Sequence, residues 1–156
     1  MLEASVLLHN IRSSYNVGSI FRTADAAGIS CIYISGYTPS PTDRFGRPQK
    51  EIAKTALGAQ IIIPWEYHKN PAALISKLKK GGWTIVGVEQ DARAQDYQKF
   101  VLKNHTLFIF GNEVRGLSKE LRSKCDTLIE IPMHGKKESL NVSVAAGIIL
   151  FSAVSR

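Results

Sequence analysis

The sequence predicts an α/β domain, built on a mostly parallel sheet with helices on both faces. Three observations support this prediction. Short apolar runs rich in β-branched residues alternate with segments of helical character, which is typical of parallel sheets. Glycines and prolines separate these segments. The length of 156 residues and the 44% share of hydrophobic residues suit one domain, spanning residues 1–156.

Six apolar runs are predicted to form strands, at residues 5–9, 31–35, 60–65, 83–89, 107–110 and 127–131. Their β-branched and aromatic side chains favour extended backbone. Five other segments are predicted to form helices, at residues 16–28, 50–57, 71–80, 118–124 and 140–154. Because helical segments separate most successive strands, the strands are expected to run parallel.

Local signals mark where several elements begin and end. Gly58 closes the second predicted helix, Pro71 stands in the first turn of the third, and Gly81–Gly82 follows its end. The segment 36–48 contains three prolines and two glycines, so it is predicted to be a loop.

The last predicted helix, 140–154, is apolar all round its circumference. Such a helix must be buried on several sides, and we expect a second copy of the chain to contribute part of that burial. Asn141 would lie inside this helix, where an amide without a hydrogen-bond partner is costly.

Charge and composition narrow the classes of function. The net charge of +7 favours polyanionic partners such as RNA, although solubility alone could account for it. No apolar run reaches the roughly 18 residues of a membrane span, and the N-terminus does not resemble a signal peptide, so a cytoplasmic location is expected.

The cysteines and histidines do not have the spacing of metal ligands. Cys31 and Cys125 lie in apolar surroundings and are expected to be buried, reduced thiols. The four histidines lie far apart, so no metal is expected, although His134 could lie near a site.

Common nucleotide and hydrolase motifs are absent from the sequence. There is no GxxxxGK[ST] loop, no GxGxxG after the first strand and no GxSxG elbow. Instead, segments 10–25, 107–118 and 131–151 each place Asn, Gly and charged residues after a predicted strand. Polar loops at the carboxyl ends of parallel strands are where open α/β folds bind ligands.

These three segments, NIRSSYNVGSIFRTADAAG, IFGNEVRGLS and IPMHGKKESLNVSVAAG, resemble the three motifs of the SpoU (TrmH-like) RNA ribose 2′-O-methyltransferases of the SPOUT superfamily. The matching positions are Asn16 and Arg22, then Gly111, Glu113 and Gly116, then Ser139 and Asn141. The resemblance extends from about residue 5 to residue 151. One motif alone would be a weak signal, but three in the same order are specific.

The resemblance implies methyl transfer from S-adenosyl-L-methionine (AdoMet) to a ribose 2′-hydroxyl of tRNA or rRNA. The catalytic residues it implies are Asn16, Arg22, Glu113, Ser139 and Asn141. The cofactor-binding residues it implies are Val88, Gly111, Ile131, Met133, Ser139 and Leu140. It also implies a deep C-terminal trefoil knot, and a homodimer in which Arg22 of one subunit serves the cofactor site of the other.

RNA contacts are expected from the basic surface of the domain, since we expect no separate RNA-binding extension. The candidate RNA-binding residues are Arg12, Arg44, Arg47 and Arg115. In the loop 36–48, basic side chains could meet phosphates, and Tyr37 or Phe45 could stack on a base. An ordinary surface loop is the alternative interpretation.

Simpler structural roles exist for several of these side chains. Arg22 suits a phosphate clamp, but it could instead form an ion pair with Asp25. Asn16 could be only a helix N-cap, and Glu113 could be only a partner of Arg115. Because a guanidinium holds its proton tightly, Arg22 is predicted to orient the substrate and to stabilise it electrostatically rather than to act as a base.

Two other functions remain open at this stage. The first is a catalytically silent RNA-binding module of the same fold. The second is a hydrolase using Ser139 with His134 and Glu138, although no elbow motif positions that serine. Ser139 and Asn141 could also simply cap the last helix.

Overall fold

A computed structural model describes residues 2–156. Its strands are β1 (Glu3–His9), β2 (Cys31–Ser35), β3 (Trp65–His68), β4 (Thr84–Val88), β5 (Gln95–Asp96), β6 (His105–Phe110) and β7 (Thr127–Glu130). Its helices are α1 (Ser14–Ala27), α2 (Lys50–Ala56), α3 (Ala59–Ile62), α4 (Pro71–Lys80), α5 (Lys119–Lys124) and α6 (Val142–Val154), and Tyr97–Lys99 forms a 3₁₀ turn. The strands form one sheet in the order β3-β2-β1-β6-β4-β7-β5, with every strand pairing parallel. The predicted α/β fold class is confirmed.

The centre of the sheet is covered on both faces. β1 lies between β2 and β6, and successive side chains along it point to opposite faces. Val6 and Leu8 belong to the core that also contains residues of α1, α2 and α6. Leu7 belongs to a second core with residues of α4 and α5. The predicted placement of helices on both faces is therefore correct.

The strand predicted at 60–65 is wrong. α2 ends in left-handed conformations at Leu57 and Gly58, and the chain then makes one helical turn in which Ile61 is 84% exposed. Pro64 has no N–H to donate to a sheet ladder and favours extended backbone at Ile63. Pairing with β2 consequently starts at Trp65, and local geometry overrides the strand propensity of the isoleucines.

Two helix starts also differ from the sequence prediction. α1 begins at Ser14, and the Ser13 side chain accepts a hydrogen bond from Asn16 N–H, so Asn16 is a first-turn residue and not the N-cap. α6 begins at Val142, and the Asn141 side chain caps it by accepting a hydrogen bond from Ser143 N–H. Asn141 is exposed at the helix end, so the predicted cost of an amide inside an apolar helix does not arise.

The sequence prediction also missed β5 and the 3₁₀ turn after it. β5 has only two residues, Gln95 and Asp96, and forms the edge of the sheet by pairing with β7. An element this short and polar shows no periodicity that could indicate it.

The final helix, α6, is only partly buried within one chain. Ala146, Ile149 and Leu150 are buried and belong to the core shared with α1. Val144 and Phe151 are exposed to about half of their surface. The helix therefore presents apolar surface that this chain alone does not cover.

Both cysteines are free thiols, but they are half-buried rather than buried as predicted. Cys31 is the first residue of β2 and Cys125 directly follows α5, so both lie at the ends of elements and not in their interiors. Burial raises the pKa of each thiol to about 11.

Within residues 2–156, no helix combines the length and the apolar character that crossing a membrane requires. The same residues contain no group of three or more His, Cys, Asp or Glu side chains arranged to hold a metal ion.

We expect the thiols of the folded protein to resist alkylation. A thiol pKa of about 11 instead of 9.0 lowers the thiolate fraction at pH 8. Iodoacetamide should therefore react about a hundredfold more slowly with the native protein than with the protein in denaturant. Mass spectrometry of timed aliquots measures both rates. Equal rates would show that burial does not protect these side chains.

Candidate active site

A cleft of about 300 Å³ opens at the carboxyl ends of β4, β6 and β7. Its walls come from residues within 88–90, 110–116 and 130–145. β4 lies between β6 and β7 and runs parallel to both. The loops that follow these three strands therefore meet at the same edge of the sheet. The cleft thus occupies the position where open parallel sheets bind ligands.

Every residue predicted to bind the cofactor lines this cleft. The six are Val88, Gly111, Ile131, Met133, Ser139 and Leu140. Glu113, predicted to be catalytic, lines it as well. The second and third polar segments of the sequence are therefore brought together around one space.

The charged side chains around the cleft all have the same sign. Glu89, Glu113, Glu130 and Glu138 line it, and no Lys, Arg or His of residues 2–156 does. In a chain of net charge +7, this concentrates negative potential at one place.

One wall is a tight loop, residues 111–117, that depends on two glycines. Gly116 has a φ of 67°, and a Cβ there would overlap the carboxylate of Glu89. A Cβ on Gly111 would lie 2.7 Å from the backbone carbonyl carbon and oxygen of Gly116. At Gly111 the added atom would meet backbone, which cannot give way as a side chain can, and at Gly116 the left-handed φ strains any other residue, so both positions require glycine.

Glu89, at the end of β4, holds this loop in place. Its Oε2 accepts a 2.6 Å hydrogen bond from Leu117 N–H, and its Oε1 accepts one of 3.2 Å from Gln90 N–H. The family resemblance implies that AdoMet lies at the strand end Val88–Glu89, but the sequence analysis did not predict this role of the Glu89 side chain. The available signal was a carboxylate directly after a buried strand, at the edge where ligands bind.

Asn112 is a second residue missed by the sequence analysis. Its side chain is 8% exposed and donates hydrogen bonds to the carbonyl oxygen of Asn10 and to Tyr37 Oη, at 3.0 and 2.9 Å. Its Oδ1 accepts hydrogen bonds from the N–H groups of Val114 and Arg115. Asn112 thus joins the loops that follow β1, β2 and β6.

Glu113 connects the cleft to the start of α1. Its carboxylate accepts hydrogen bonds from Arg12 N–H, at 2.9 and 3.2 Å, and from Ser13 N–H, at 3.5 Å. Within residues 2–156 it forms no ion pair with Arg115, so that simpler interpretation is wrong.

The first and third polar segments meet beside the cleft. Asn141 Nδ2 donates a 3.2 Å hydrogen bond to Asn16 Oδ1, although 125 residues separate them in sequence. Neither side chain lines the cleft. Their predicted catalytic roles remain predictions, and the observed contact joins the first turn of α1 to the N-cap of α6.

Arg22 does not reach the cleft of its own chain. It lines a separate, open groove of about 530 Å³ between α1, α2 and α6, together with Lys54 and Phe151. In the described part of the chain Arg22 makes no ion pair with Asp25, so this alternative is wrong. The groove leaves the guanidinium exposed.

The loop 36–48 presents a compact basic and aromatic surface. The Asp43 carboxylate accepts hydrogen bonds from Arg47 N–H, Arg47 Nε and Phe45 N–H, which lower the pKa of Asp43. The guanidinium carbons of Arg44 and Arg47 lie 4.8 and 5.0 Å from the centroid of the Phe45 ring. Phe45 is 67% exposed between them. Arg12 and Arg115 are also exposed.

A serine hydrolase is not supported by the geometry. His134, Glu138 and Ser139 are all exposed, and within residues 2–156 no hydrogen bond links any two of them. The side chains do not form a relay from nucleophile to base.

The sequence matches the SpoU rRNA Methylase family over residues 3–151. A relative, the 23S rRNA (guanosine-2′-O-)-methyltransferase RlmB of Pseudomonas syringae pv. tomato, is 35% identical over 149 residues. The match covers 96% of this chain and 57% of that relative, so the chain spans little more than half of its length.

Two solved structures have the same fold. The AdoMet-bound rRNA methyltransferase from Sinorhizobium meliloti has a TM-score of 0.86 and 32% identity, covering 96% of this chain and 55% of that one. The TrmH/SpoU tRNA modifying enzyme of A. aeolicus has a TM-score of 0.86 and 28% identity, covering 99% of this chain and 75% of that one.

We expect Gly111→Ala to weaken AdoMet binding. The added Cβ displaces the loop 111–117, and overpacking of this kind costs about 1–3 kcal/mol, or about a thirtyfold loss of affinity at its midpoint. Titration calorimetry with AdoMet measures the change. Gly135→Ala is the matched control, because a Cβ there meets nothing within 4 Å and its affinity should equal that of the wild type. Unchanged affinity in a folded Gly111→Ala protein would argue that AdoMet binds elsewhere.

Proposed function

Because the chain belongs to the SpoU rRNA methylase family, we propose that it transfers a methyl group from AdoMet to a ribose 2′-hydroxyl of rRNA or tRNA. The observation that carries this proposal is the cleft at the carboxyl ends of β4, β6 and β7. It unites all six residues that the family resemblance assigns to the cofactor. The related enzyme of S. meliloti, with the same fold, is an AdoMet-bound rRNA methyltransferase.

The residues around the cleft fit AdoMet in shape and charge. Gly111 and Gly116 leave backbone groups open to the ligand on one wall, and Leu140 and Val142 provide apolar surface on another. The four carboxylates complement a cationic sulfonium. AdoMet, when bound, supplies a methyl group that its sulfonium already activates.

The task of the protein is then to align the ribose hydroxyl and to exclude water. Ser139 and Leu140 line the cleft and are exposed, so they are proposed to cover the bound cofactor. Glu113 holds the loop 111–117 against the start of α1, and the Asn16–Asn141 hydrogen bond holds the loop before α6 beside it. Glu113, Asn16 and Asn141 thus act as positioning residues.

Arg22 is proposed to hold the RNA phosphate next to the target ribose. A guanidinium donates two parallel hydrogen bonds to a phosphate and keeps its own proton at neutral pH. The hydroxyl proton therefore leaves to the substrate phosphate or to water, while Arg22 orients the nucleotide and stabilises negative charge.

The active site is proposed to be shared between two copies of the chain. Arg22 lies in a groove separate from the cleft, which supports its use by a partner molecule. Val144 and Phe151 on α6 leave apolar surface that a partner would cover. A homodimer places the Arg22 of one subunit at the cleft of the other.

RNA is proposed to contact the exposed basic residues outside the cleft. These are Arg12, Arg44, Arg47 and Arg115. The stacked arrangement of Arg44, Phe45 and Arg47 supports this assignment, since cations meet phosphates and an exposed ring can stack on a base.

The proposal includes a C-terminal trefoil knot and a cytoplasmic location. The knot is supported by the family resemblance, and the segments around 88–90, 110–116 and 130–145 that would cross one another line a single cleft. The cytoplasm contains both the RNA substrates and the cofactor.

We expect the protein to label RNA from tritiated AdoMet. Incubation with separated tRNA and rRNA should give incorporation of tritium into one of these two RNA classes. Alkaline hydrolysis of that RNA should leave a gap in the ladder of fragments at the modified nucleotide, because a 2′-O-methyl group blocks backbone hydrolysis. The Gly111→Ala protein serves as the control with a damaged cleft. RNA binding without AdoMet binding would favour a catalytically silent module and contradict methyl transfer.

A shared site predicts complementation between two inactive variants. Arg22→Ala leaves the cleft intact, and Gly111→Ala leaves the arginine intact. At an AdoMet concentration below the wild-type Kd, where the weakened cleft of Gly111→Ala stays mostly empty, each homodimer should be nearly inactive. In a co-expressed mixture half of the dimers are mixed and each has one complete site, giving about a quarter of wild-type activity. A site built within one chain would give no recovery.

A further inference from the structure

The groove that contains Arg22 is formed by an unusually close approach of α1 and α2. A Cβ on Gly18 would overlap Thr55 Oγ1 and the carbonyl oxygen of Ile52. Thr55 Oγ1 also donates a 2.9 Å hydrogen bond to the carbonyl oxygen of Tyr15. This contact fixes the last turn of α2 against α1, about one turn before Arg22.

Lys54 lies in that last turn of α2 and lines the same groove as Arg22. Both cations are exposed, and within residues 2–156 neither forms an ion pair. The nearby carboxylates of Asp25 and Glu51 do not line the groove. Two cations therefore face one open space, and no acidic side chain of the described residues lines it.

The remaining polar groups of the groove also suit an anion. Ser19 and Thr23 line it with hydroxyl groups that can donate hydrogen bonds to phosphate oxygens, whereas the Thr55 hydroxyl donates to the carbonyl oxygen of Tyr15. Leu57 and Phe151 form its apolar border. An arginine that donates two hydrogen bonds, a lysine that acts as a mobile point charge and nearby hydroxyls form a set that recognises a phosphodiester.

We propose that Lys54 is a second phosphate-binding residue, which together with Arg22 binds the RNA phosphodiester beside the target ribose. This inference rests on the proposed methyl transfer to RNA. Lys54 neutralises phosphate charge, and the close contact of Gly18 with α2 keeps it beside Arg22.

The test compares Lys54→Gln with Lys54→Arg and with the control Lys77→Gln. Lys77 is an exposed lysine in the last turn of α4, on the other face of the sheet, and forms no ion pair within the described residues. Filter binding to the RNA that the wild-type protein methylates is measured over a range of salt concentrations. AdoMet affinity and dimer mass are measured in parallel.

Lys54→Gln should weaken RNA binding about tenfold at low salt and reduce the slope of log affinity against log salt by about one. Lys54→Arg should retain most of the affinity, and Lys77→Gln should match the wild type. AdoMet affinity should not change in any variant.

A wild-type salt slope in Lys54→Gln would overturn the proposal. A weaker dimer with an unchanged slope would also overturn it, since Lys54 would then bind a carboxylate of the partner subunit. Failure of the wild-type protein to methylate any RNA would instead contradict the proposed function, so the two failures can be told apart.

Discussion

The cleft depends on two carboxylates, Glu89 and Glu113, that bind backbone N–H groups. Such charge-assisted hydrogen bonds are about twice as strong as neutral ones. Glu89 ties the loop 111–117 to the end of β4, and Glu113 ties it to the residues before α1. The loop is thus held from two sides, and its glycines allow the backbone to fold closely enough for both bonds to form. A rigid wall at this position lets the other two segments close a cleft against it.

The sequence predicted the elements of the sheet well where burial dictates the pattern. β1, β2, β4, β6 and β7 are short apolar runs with both faces covered, and their hydrophobicity alone locates them. The prediction failed at 60–65, where Pro64 and two left-handed residues override the strand propensity of three isoleucines. It also missed β5, which is too short and polar to show a period.

The sequence predicted which residues form the cleft, but it did not predict that Arg22 would lie in a separate groove. The position of each polar segment after a strand was enough to gather the cleft residues at one edge of the sheet. It could not reveal that Arg22, two turns into α1, would face α2 and α6 instead. That placement follows from the contact of Gly18 with α2, and no local pattern encodes contacts between distant helices. The hydrogen bonds of Asn112 could not be predicted for the same reason, because they join residues far apart in the sequence.

The all-acidic lining of the cleft has a consequence for the catalytic cycle that we propose. Among the described residues, four carboxylates and no cationic side chain line the cleft, and these carboxylates attract a donor that arrives with a positive sulfur. Once the methyl group has left, that sulfur is an uncharged thioether, and the attraction toward it is gone. The carboxylates that favour binding of AdoMet therefore exert no such attraction on its demethylated product. This eases the exchange of product for AdoMet between successive rounds of catalysis.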